Sequence, residues 1–216
     1  MNAKTLIIAV ATVALCAPFV SAALSDGTAN AANKTAANGS NVQYMSADLI
    51  DTDQGLTVLT TTIKTSKSTD LLLQLSMECA LWTETITTTI DQHPLGYDNY
   101  ARAEAHVEAW IEVDGVPVTL GPEDDGKVVM CDRVHEQELS DIDNSTGNHT
   151  IRQYLETRNA NAFNWVVLNA GSGVHTVVVK VDIEAANTQG AFAEVAVGKR
   201  TLIVEPTRFA NGATVY

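Results

Sequence analysis

Apolar and polar residues alternate along much of this chain with the two-residue period of a half-buried β-strand. Between Leu71 and Leu81 every odd-numbered position is apolar, and glutamine, serine and glutamate fall among the even ones. From Ala105 to Val113 the apolar residues again share one face, and the opposite face carries a histidine, two glutamates and a tryptophan. Each segment therefore predicts a strand with one face in a core, and the first of them places Cys79 on its core face.

Other segments rich in β-branched residues are separated by turn residues, a pattern typical of an all-β protein. The segment 71–90 is long enough for a bend or a break. The fold class that follows is an all-β, two-sheet antiparallel sandwich, with jelly-roll or immunoglobulin-like Greek-key wiring left open. We predict strands at 42–50, 56–65, 71–90, 103–113, 116–120, 127–136, 151–157, 163–168, 174–185, 192–197 and 201–204.

Two turns are specified by their residues. Asp114-Gly115 is the residue pair of a type I′ hairpin, because both central positions of that turn need positive φ. Pro117 has no N–H for a sheet ladder, so the returning strand is expected at a sheet edge. Gly171-Ser172-Gly173 separates 163–168 from 174–185 and predicts a second antiparallel hairpin.

The first 22 residues have the pattern of a cleaved signal peptide rather than of a folded element. Lys4 gives a positive start, Leu6–Leu15 form a short apolar run, and Val20-Ser21-Ala22 supplies a signal-peptidase site. A lipid anchor at Cys16 is not expected, because leucine directly precedes it. We expect a mature chain that begins at Ala23 and is secreted, whether extracellular, on the cell surface or periplasmic.

Composition divides the remaining chain into two parts. Residues 23–41 consist mainly of Ala, Asn, Ser, Thr and Gly, so they predict a flexible tail or linker. Residues 42–216 have the apolar content for one core and are expected to form a single β-sandwich domain. No stretch of them approaches the ~18 uninterrupted apolar residues of a membrane span, so no transmembrane segment is expected in the mature chain.

Cys79 and Cys131 are the only cysteines of the expected mature chain. An even pair in an oxidising compartment predicts a disulfide bond. Two ligands of a metal site are the alternative, but no second cysteine pair or closely spaced histidines accompany them.

The chain is acidic, with 26 Asp and Glu against 13 Lys and Arg and a formal charge of −13. This field repels phosphate backbones, so nucleic acid is not expected as a partner. Solubility is one interpretation of the acidity, and divalent-cation binding is the other. The acidic loops 123–126 and 141–145 are candidate calcium sites, but the second does not have a glycine and a glutamate at the positions that an EF-hand requires. We expect no cofactor, and calcium has weak support.

No spacing of chemically active residues predicts an enzyme. The five histidines form no His-Glu-x-x-His or His-x-His motif, and Gly171-Ser172-Gly173 lacks the spacing of a nucleophile elbow. Asp132, His135 and Glu138 would share a face on a helix, whereas a strand is predicted there. A secreted hydrolase with dispersed carboxylates is the alternative, because such a pair leaves no local motif.

Sequons and tryptophans are the remaining candidate sites. Trp82 and Trp110 lie on the faces opposite the apolar ones, where exposed indole rings stack against sugars in many carbohydrate-binding modules. The favoured interpretation is that the second face of each strand is partly covered as well, and ligand stacking at Trp82 and Trp110 is the alternative. The possible glycosylation sites all lie in segments predicted to be exposed, and they are Asn33, Asn38, Asn144 and Asn148.

The threonine runs 60–62 and 87–89 predict solvent-facing strands with long edges. An exported sandwich with such edges and an N-terminal tail permits donor-strand exchange, in which the tail of one subunit completes the sheet of the next. We therefore expect a secreted, non-enzymatic structural subunit of a cell surface, matrix or filament. Its partners would be other copies of itself or surface polymers. A secreted carbohydrate-binding module that contacts glycans is the alternative.

Overall fold

The regular secondary structure of this chain is β-strand throughout the part that the computed structural model describes. That part comprises residues 34–46, 55–89, 100–121, 123–138, 149–188 and 191–209. No helix within these ranges is long and apolar enough to cross a membrane. In chain order the strands are β1 (Thr35–Gly39), β2 (Gln43–Ser46), β3 (Leu56–Thr65), β4 (Thr69–Thr89), β5 (Tyr100–Val113), β6 (Val116–Pro117), β7 (Val128–Glu138), β8 (His149–Ala170), β9 (Gly173–Asn187) and β10 (Ala191–Thr207).

These strands form two antiparallel sheets that face each other across a core. Sheet A has the order β1-β10-β4-β8. Both β1 and β2 pair with the same side of β10, β2 with residues 194–197 and β1 with residues 200–204. Sheet B has the order β3-β9-β5-β6, and β7 also pairs with β5. The predicted all-β, two-sheet antiparallel sandwich is confirmed.

The inner faces of the two sheets carry the apolar side chains that the alternation predicted. The odd-numbered residues of β4 from Leu71 to Leu81 are buried, as are those of β5 from Ala101 to Val113. Trp165 of β8 is fully buried, and its Nε1 donates to the carbonyl of Gly126 at 2.9 Å. A slip of one residue in the register would turn a whole apolar set to solvent, so burial fixes the register.

A disulfide bond joins the two sheets. The Cα atoms of Cys79 in β4 and Cys131 in β7 are 6.5 Å apart, and both residues are buried. The predicted bond is confirmed. Because β4 belongs to sheet A and β7 to sheet B, the bond crosses the core and fixes one sheet against the other.

Several strands are longer than the sequence pattern indicates. β4 is one unbroken strand of 21 residues, although the length of the segment 71–90 allowed for a bend or a break. The segments 151–157 and 163–168 both belong to β8, and 192–197 and 201–204 both belong to β10. A β-bulge interrupts the register of β10 with β4 between Val197 and Arg200. β8 and β10 both pair with β4, and this pairing explains why all three strands are long. Main-chain hydrogen bonds between strands continue through polar stretches whose sequence shows no alternation.

The two predicted turns have different outcomes. Asp114 and Gly115 have φ angles of 54° and 80° and join β5 to the edge strand β6, so the type I′ hairpin is confirmed. The hairpin predicted around Gly171-Ser172-Gly173 is wrong. β8 pairs with β4 in sheet A, whereas β9 pairs with β3 and β5 in sheet B. This turn instead carries the chain between sheets, so that β8 and β9 cover the core from opposite sides.

The N-terminal strand β1 lies within the segment that composition assigned to a flexible tail. It pairs with β10 from Thr35 opposite Val204 to Gly39 opposite Arg200. Main-chain hydrogen bonds hold such an edge strand, and every residue except proline can supply them. Low apolar content is therefore compatible with a strand here. The predicted signal peptide, residues 1–22, and residues 23–33 of the predicted tail lie outside the described residues.

Candidate functional site

One buried cation holds the edge of sheet A where β1 and β2 meet β10. Arg200 is 3% exposed, and its Nε donates to the carbonyl of Val58 at 3.1 Å. Its Nη1 donates to the carbonyls of Asn41 and Gly198, each at 2.8 Å. Its Nη2 donates to Oδ1 of Asn41, also at 2.8 Å. We call these four residues the Arg200 clasp.

The Arg200 clasp joins three parts of the fold. Asn41 lies in the turn between β1 and β2, Val58 lies on β3 of sheet B, and Gly198 lies in the bulge of β10. Burial lowers the pKa of Arg200 from its usual value, because desolvation disfavours the charged form. Neutral oxygens satisfy the guanidinium. Gly39 passes so close that a Cβ there would lie 3.1 Å from the guanidinium.

The other side-chain contacts of β1 are small and peripheral. The hydroxyl of Thr201 donates to Oδ1 of Asn38 at 2.9 Å, and the hydroxyls of Thr35 and Thr61 are 3.2 Å apart. Just before β1, Lys34 Nζ lies 3.1 Å from Glu205 in a pair whose side chains are about half exposed. Exposed pairs of this kind contribute little stability. Main-chain pairing and the Arg200 clasp therefore hold β1.

A groove with a volume of about 550 Å³ lies on the outer face of sheet A. Ala80, Ala160 and Ala196 contribute small side chains to it, and Trp82 lines it with a half-buried indole ring. We call it the Trp82 groove. Its polar lining residues are Glu78, Arg158 and Asn159.

The Trp82 groove combines an aromatic surface with both signs of charge. The Arg158 guanidinium lies 6.0 Å from the centroid of the Trp82 ring, within cation–π distance, and pairs with Glu156 at 2.7 Å. Oε2 of Glu78 accepts a hydrogen bond from the main-chain N–H of Lys199 at 3.3 Å. Trp82 thus lies on an outer face, as its parity predicts, and its ring is half-buried.

Trp110 also lies on an outer face, that of sheet B, but it is only 8% exposed. Its Nε1 donates to Glu112 at 3.3 Å, and Lys127 Nζ lies 5.1 Å from the ring centroid. Gly55 lies directly against the ring, where no Cβ would fit. The expectation that Trp110 offers a stacking surface is therefore wrong in this structure, because the chain before β3 covers it.

His175 joins three turns at one end of the sandwich. Its Nδ1 lies 2.8 Å from Oδ2 of Asp114, and its Nε2 lies 2.9 Å from the carbonyl of Gly171 and 3.2 Å from Oγ1 of Thr65. The Asp114 hydrogen bond raises the pKa of His175, and the Gly171 carbonyl adds to the shift against desolvation.

Asp114 is the anionic partner of His175. Burial acts to raise its pKa, but the hydrogen bonds from His175 and from the main-chain N–H of Thr176 outweigh burial, so the pKa is lowered. Both ring nitrogens of His175 thus face oxygen acceptors, which favours the doubly protonated ring. Although Thr65, His175 and Asp114 are the residue types of a nucleophilic triad, Oγ1 of Thr65 donates to the carbonyl of Gly171 at 2.7 Å, so its proton is directed at that carbonyl and not at the ring. The contacts are those of a structural hydrogen-bond cluster.

Polar residues replace the apolar core at the opposite end of the sheets. Oγ1 of Thr85 donates to Oε1 of Gln137 at 2.9 Å, and Nε2 of His135 lies 3.1 Å from Oε1 of Gln153. Oγ1 of Thr83 lies 3.5 Å from Nδ1 of His135. These bonds satisfy polar groups that burial would otherwise destabilise. His135 therefore has a structural environment between the sheets.

The charged groups considered for metal binding do not converge. On β7, Asp132 and His135 point to opposite faces because they are three positions apart on a strand. In the loop 123–126, carboxylates cap nearby N–H groups: Asp124 accepts from Gly126 at 2.8 Å and Asp125 from Lys127 at 3.0 Å. Among the described residues, no group of three His, Cys, Asp or Glu side chains is arranged to hold an ion. The loop 141–145 lies outside those residues.

The sequons are described at one position. Asn38 is exposed on β1, and its side chain accepts the hydrogen bond from Thr201. The other three predicted glycosylation sites, Asn33, Asn144 and Asn148, lie outside the described residues.

Comparisons with known proteins give no family for this chain. No protein-family model matches the sequence, and no curated protein matches it. Among solved structures, one titled "Structure of infectious bursal disease virus Gx strain" aligns with 9% identity and a TM-score of 0.12. The alignment covers 83% of this chain and 44% of that viral chain. Similarity this low supports no conclusion about fold or function.

Proposed function

We propose that this protein is an exported, non-enzymatic β-sandwich that serves as a structural subunit of a cell surface, matrix or filament. In this proposal neighbouring copies are joined by exchange of the N-terminal strand. β1 of one copy pairs with β10 of the next copy in the register that β1 now has with β10 of its own chain. The proposal gives the acidic, Thr-rich surface the role of an exposed assembly unit.

The position of β1 is the observation that carries the proposal. The strand has five residues and lies at a sheet edge, and the side chain that it packs against the core is the small one of Ala37. Main-chain hydrogen bonds to β10 are the same whichever chain supplies the strand, which is the physical basis of strand addition and domain swapping. A strand that contributes little to its own core is also the least costly one to exchange.

Export has two supports. The first 22 residues carry the charge and apolar pattern of a cleaved leader. The Cys79–Cys131 bond is compatible with an extracellular or periplasmic location, where disulfides persist.

The strand orders of the two sheets fit jelly-roll wiring, in which the chain passes repeatedly between sheets, better than the immunoglobulin-like alternative.

Cysteine cross-linking between two copies tests strand exchange. Asn38 on β1 lies opposite Thr201 on β10, and both side chains are on the outer face. We expect that Asn38→Cys protein mixed with Thr201→Cys protein under oxidising conditions gives a covalent dimer on a non-reducing gel. The double variant should give a ladder of larger species, since each copy then carries both halves of the junction.

A matched control separates exchange from collision. Ser76 is exposed on β4, one strand beyond Thr201 from β1. Asn38→Cys protein mixed with Ser76→Cys protein should give no more dimer than Asn38→Cys alone. If the Asn38 and Thr201 mixture also stays at that background while the double variant forms its bond within one chain, β1 is not exchanged and the proposed assembly is wrong.

Glycan binding is a second candidate function, and the Trp82 groove is the observation that favours it. Indole rings stack against the C–H faces of sugars, and carboxylate, guanidinium and amide groups beside the ring bond sugar hydroxyls. Glu78 and Arg158 supply a carboxylate and a guanidinium along the same groove. A short saccharide on the outer face of sheet A would contact the Trp82 ring and both charged groups.

Loss of a single ring tests this candidate. We expect Trp82→Ala to weaken binding to glycans selected on an array by about ten-fold or more, as measured by calorimetry, because stacking surface is lost. Tyr154→Ala is the matched control, since Tyr154 is an exposed aromatic residue of β8 that does not line the groove. Equal binding by wild type and Trp82→Ala, or no glycan bound by wild type, would contradict glycan binding in the groove.

A further inference from the structure

β8 forms an edge of sheet A, opposite the edge where β1 lies. It has 22 residues and pairs with β4 alone among the described strands, so its second row of main-chain N–H and C=O groups faces outward. Its register with β4 is continuous from Val167 to His149, without a bulge. An edge of this length and regularity is a template for another strand.

The other sheet edges carry features that oppose pairing. β1 and β2 have five and four residues, β3 has a bulge between Thr57 and Leu59, and β6 contains Pro117. β7 has a bulge where it pairs with β5. From 149 to 170, β8 contains neither proline nor lysine. Within the described fold it is the edge with the fewest barriers to strand addition.

Several side chains of β8 are exposed, and they lie on both of its faces. Ile151, Leu155 and Phe163 point to the inner side of sheet A yet are 37%, 45% and 38% exposed. Tyr154 on the outer side is 53% exposed. Apolar side chains at these exposures along a free edge indicate a surface that a partner covers.

We infer that the free edge of β8 pairs with β8 of a second copy of this chain, antiparallel and about a two-fold axis at Thr157. In that register the numbers of two opposite residues add up to 314. Odd-numbered residues therefore lie opposite odd-numbered ones and even-numbered opposite even-numbered ones, so the inner and outer faces of the sheet continue from one copy to the next. Glu156 then lies opposite Arg158 twice, on the outer face. Ile151 lies opposite Phe163 twice, on the inner face.

Self-complementarity is what identifies the partner as a second copy. A two-fold interface requires a surface that is complementary to itself. Glu156 and Arg158 have opposite charges and lie on either side of residue 157, so a two-fold axis at residue 157 places each of them opposite its oppositely charged partner. Within one chain the same two side chains are 2.7 Å apart and their side chains are 37% and 73% exposed. Both side chains therefore reach the surface, where the dimer replaces this pair within one chain by pairs across the axis. The resulting dimer joins two copies of sheet A into one wider sheet and covers the exposed apolar residues.

This interface is independent of strand exchange at β10, because the two lie at opposite edges of sheet A. One proposal can fail while the other holds. Variants of β8 should leave the cross-link between the Asn38→Cys and Thr201→Cys proteins unchanged. If the β8 dimer is lost while that cross-link still forms, the loss is confined to the β8 interface and does not extend to the whole assembly.

Charge reversal and restoration test the interface in the chain that begins at Ala23. We expect sedimentation velocity to show a concentration-dependent dimer. Glu156→Arg and Arg158→Glu should each raise its dissociation constant at least ten-fold, because like charges then meet twice. The double variant E156R/R158E should return the constant to within about three-fold of wild type, since both cross-axis pairs are restored.

A cysteine at the axis tests the register. Thr157→Cys should form a disulfide-linked dimer readily, because residue 157 lies opposite itself. Ala160→Cys should not, since residue 160 lies opposite Tyr154; a mixture of Ala160→Cys and Tyr154→Cys proteins should. A wild-type monomer at about 100 μM would overturn the inference, as would single reversals that leave the dissociation constant unchanged. Efficient cross-linking of Ala160→Cys alone would overturn the register.

Discussion

Replacing Arg200 with methionine should lower the free energy of unfolding by about 2 to 4 kcal/mol. Methionine occupies a similar volume but donates no hydrogen bond, so the carbonyls of Val58, Asn41 and Gly198 lose their donor. Relief of the desolvated charge offsets part of the loss, which sets the lower end of the range. Chemical denaturation monitored by tryptophan fluorescence measures the change.

The substitution should also act locally before it acts globally. Because the Arg200 clasp holds the turn at Asn41, amide hydrogens of residues 35–39 should exchange faster in Arg200→Met while those of β4 keep their protection. Lys199→Met is the control: Lys199 is exposed, and its removal should change stability by less than about 0.5 kcal/mol. Equal stabilities of the two variants would show that the clasp contributes nothing to the fold.

Removing the disulfide bond should cost about 4 kcal/mol of stability, by the entropy of a loop that separates its ends by 52 residues. The variant C79A/C131A of the chain that begins at Ala23, which lacks Cys16, measures this in the absence of free thiols. Such a loss is a large share of the ~5–15 kcal/mol that stabilises a typical domain. The bond connects β4 to β7, so its loss should also weaken the contact between the sheets.

Reduction supplies the matched control for this prediction. Dithiothreitol should lower the denaturation midpoint of the wild-type chain toward that of C79A/C131A and leave the variant's own midpoint unchanged. A wild-type midpoint that does not respond to reductant, in protein whose thiols have been shown to be free, would contradict a stabilising role for the bond.

Much of the sandwich follows from local sequence. The alternation around Cys79 assigns that sulfur to the core, and Asp114-Gly115 gives the hairpin, because side-chain period and turn φ depend on neighbouring residues alone. The same reasoning puts Trp82 and Trp110 on outer faces. It does not show what covers an outer face, and Gly55 with Lys127 covers only Trp110.

The candidate sites depend on features that local patterns do not contain. Arg200 points inward because the bulge after Val197 changes the parity of β10, so even positions face the core beyond it. If the alternation simply continued from Val197, Arg200 would lie on the outer face of the sheet. The only signal is that Leu202 and Val204 have the opposite parity from Val195 and Val197.

The sequence by itself determined the strand-rich class, the two-faced strands, the disulfide bond and one hairpin, because each rests on residue period, turn conformation or cysteine pairing. Tertiary structure alone decided that residues 35–39 pair with β10, that Gly171–Gly173 joins two sheets, and that β8 has a free edge. Main-chain hydrogen bonds between strands distant in sequence carry these features. Such bonds are nearly independent of side-chain identity, and so they leave little trace in the order of residues.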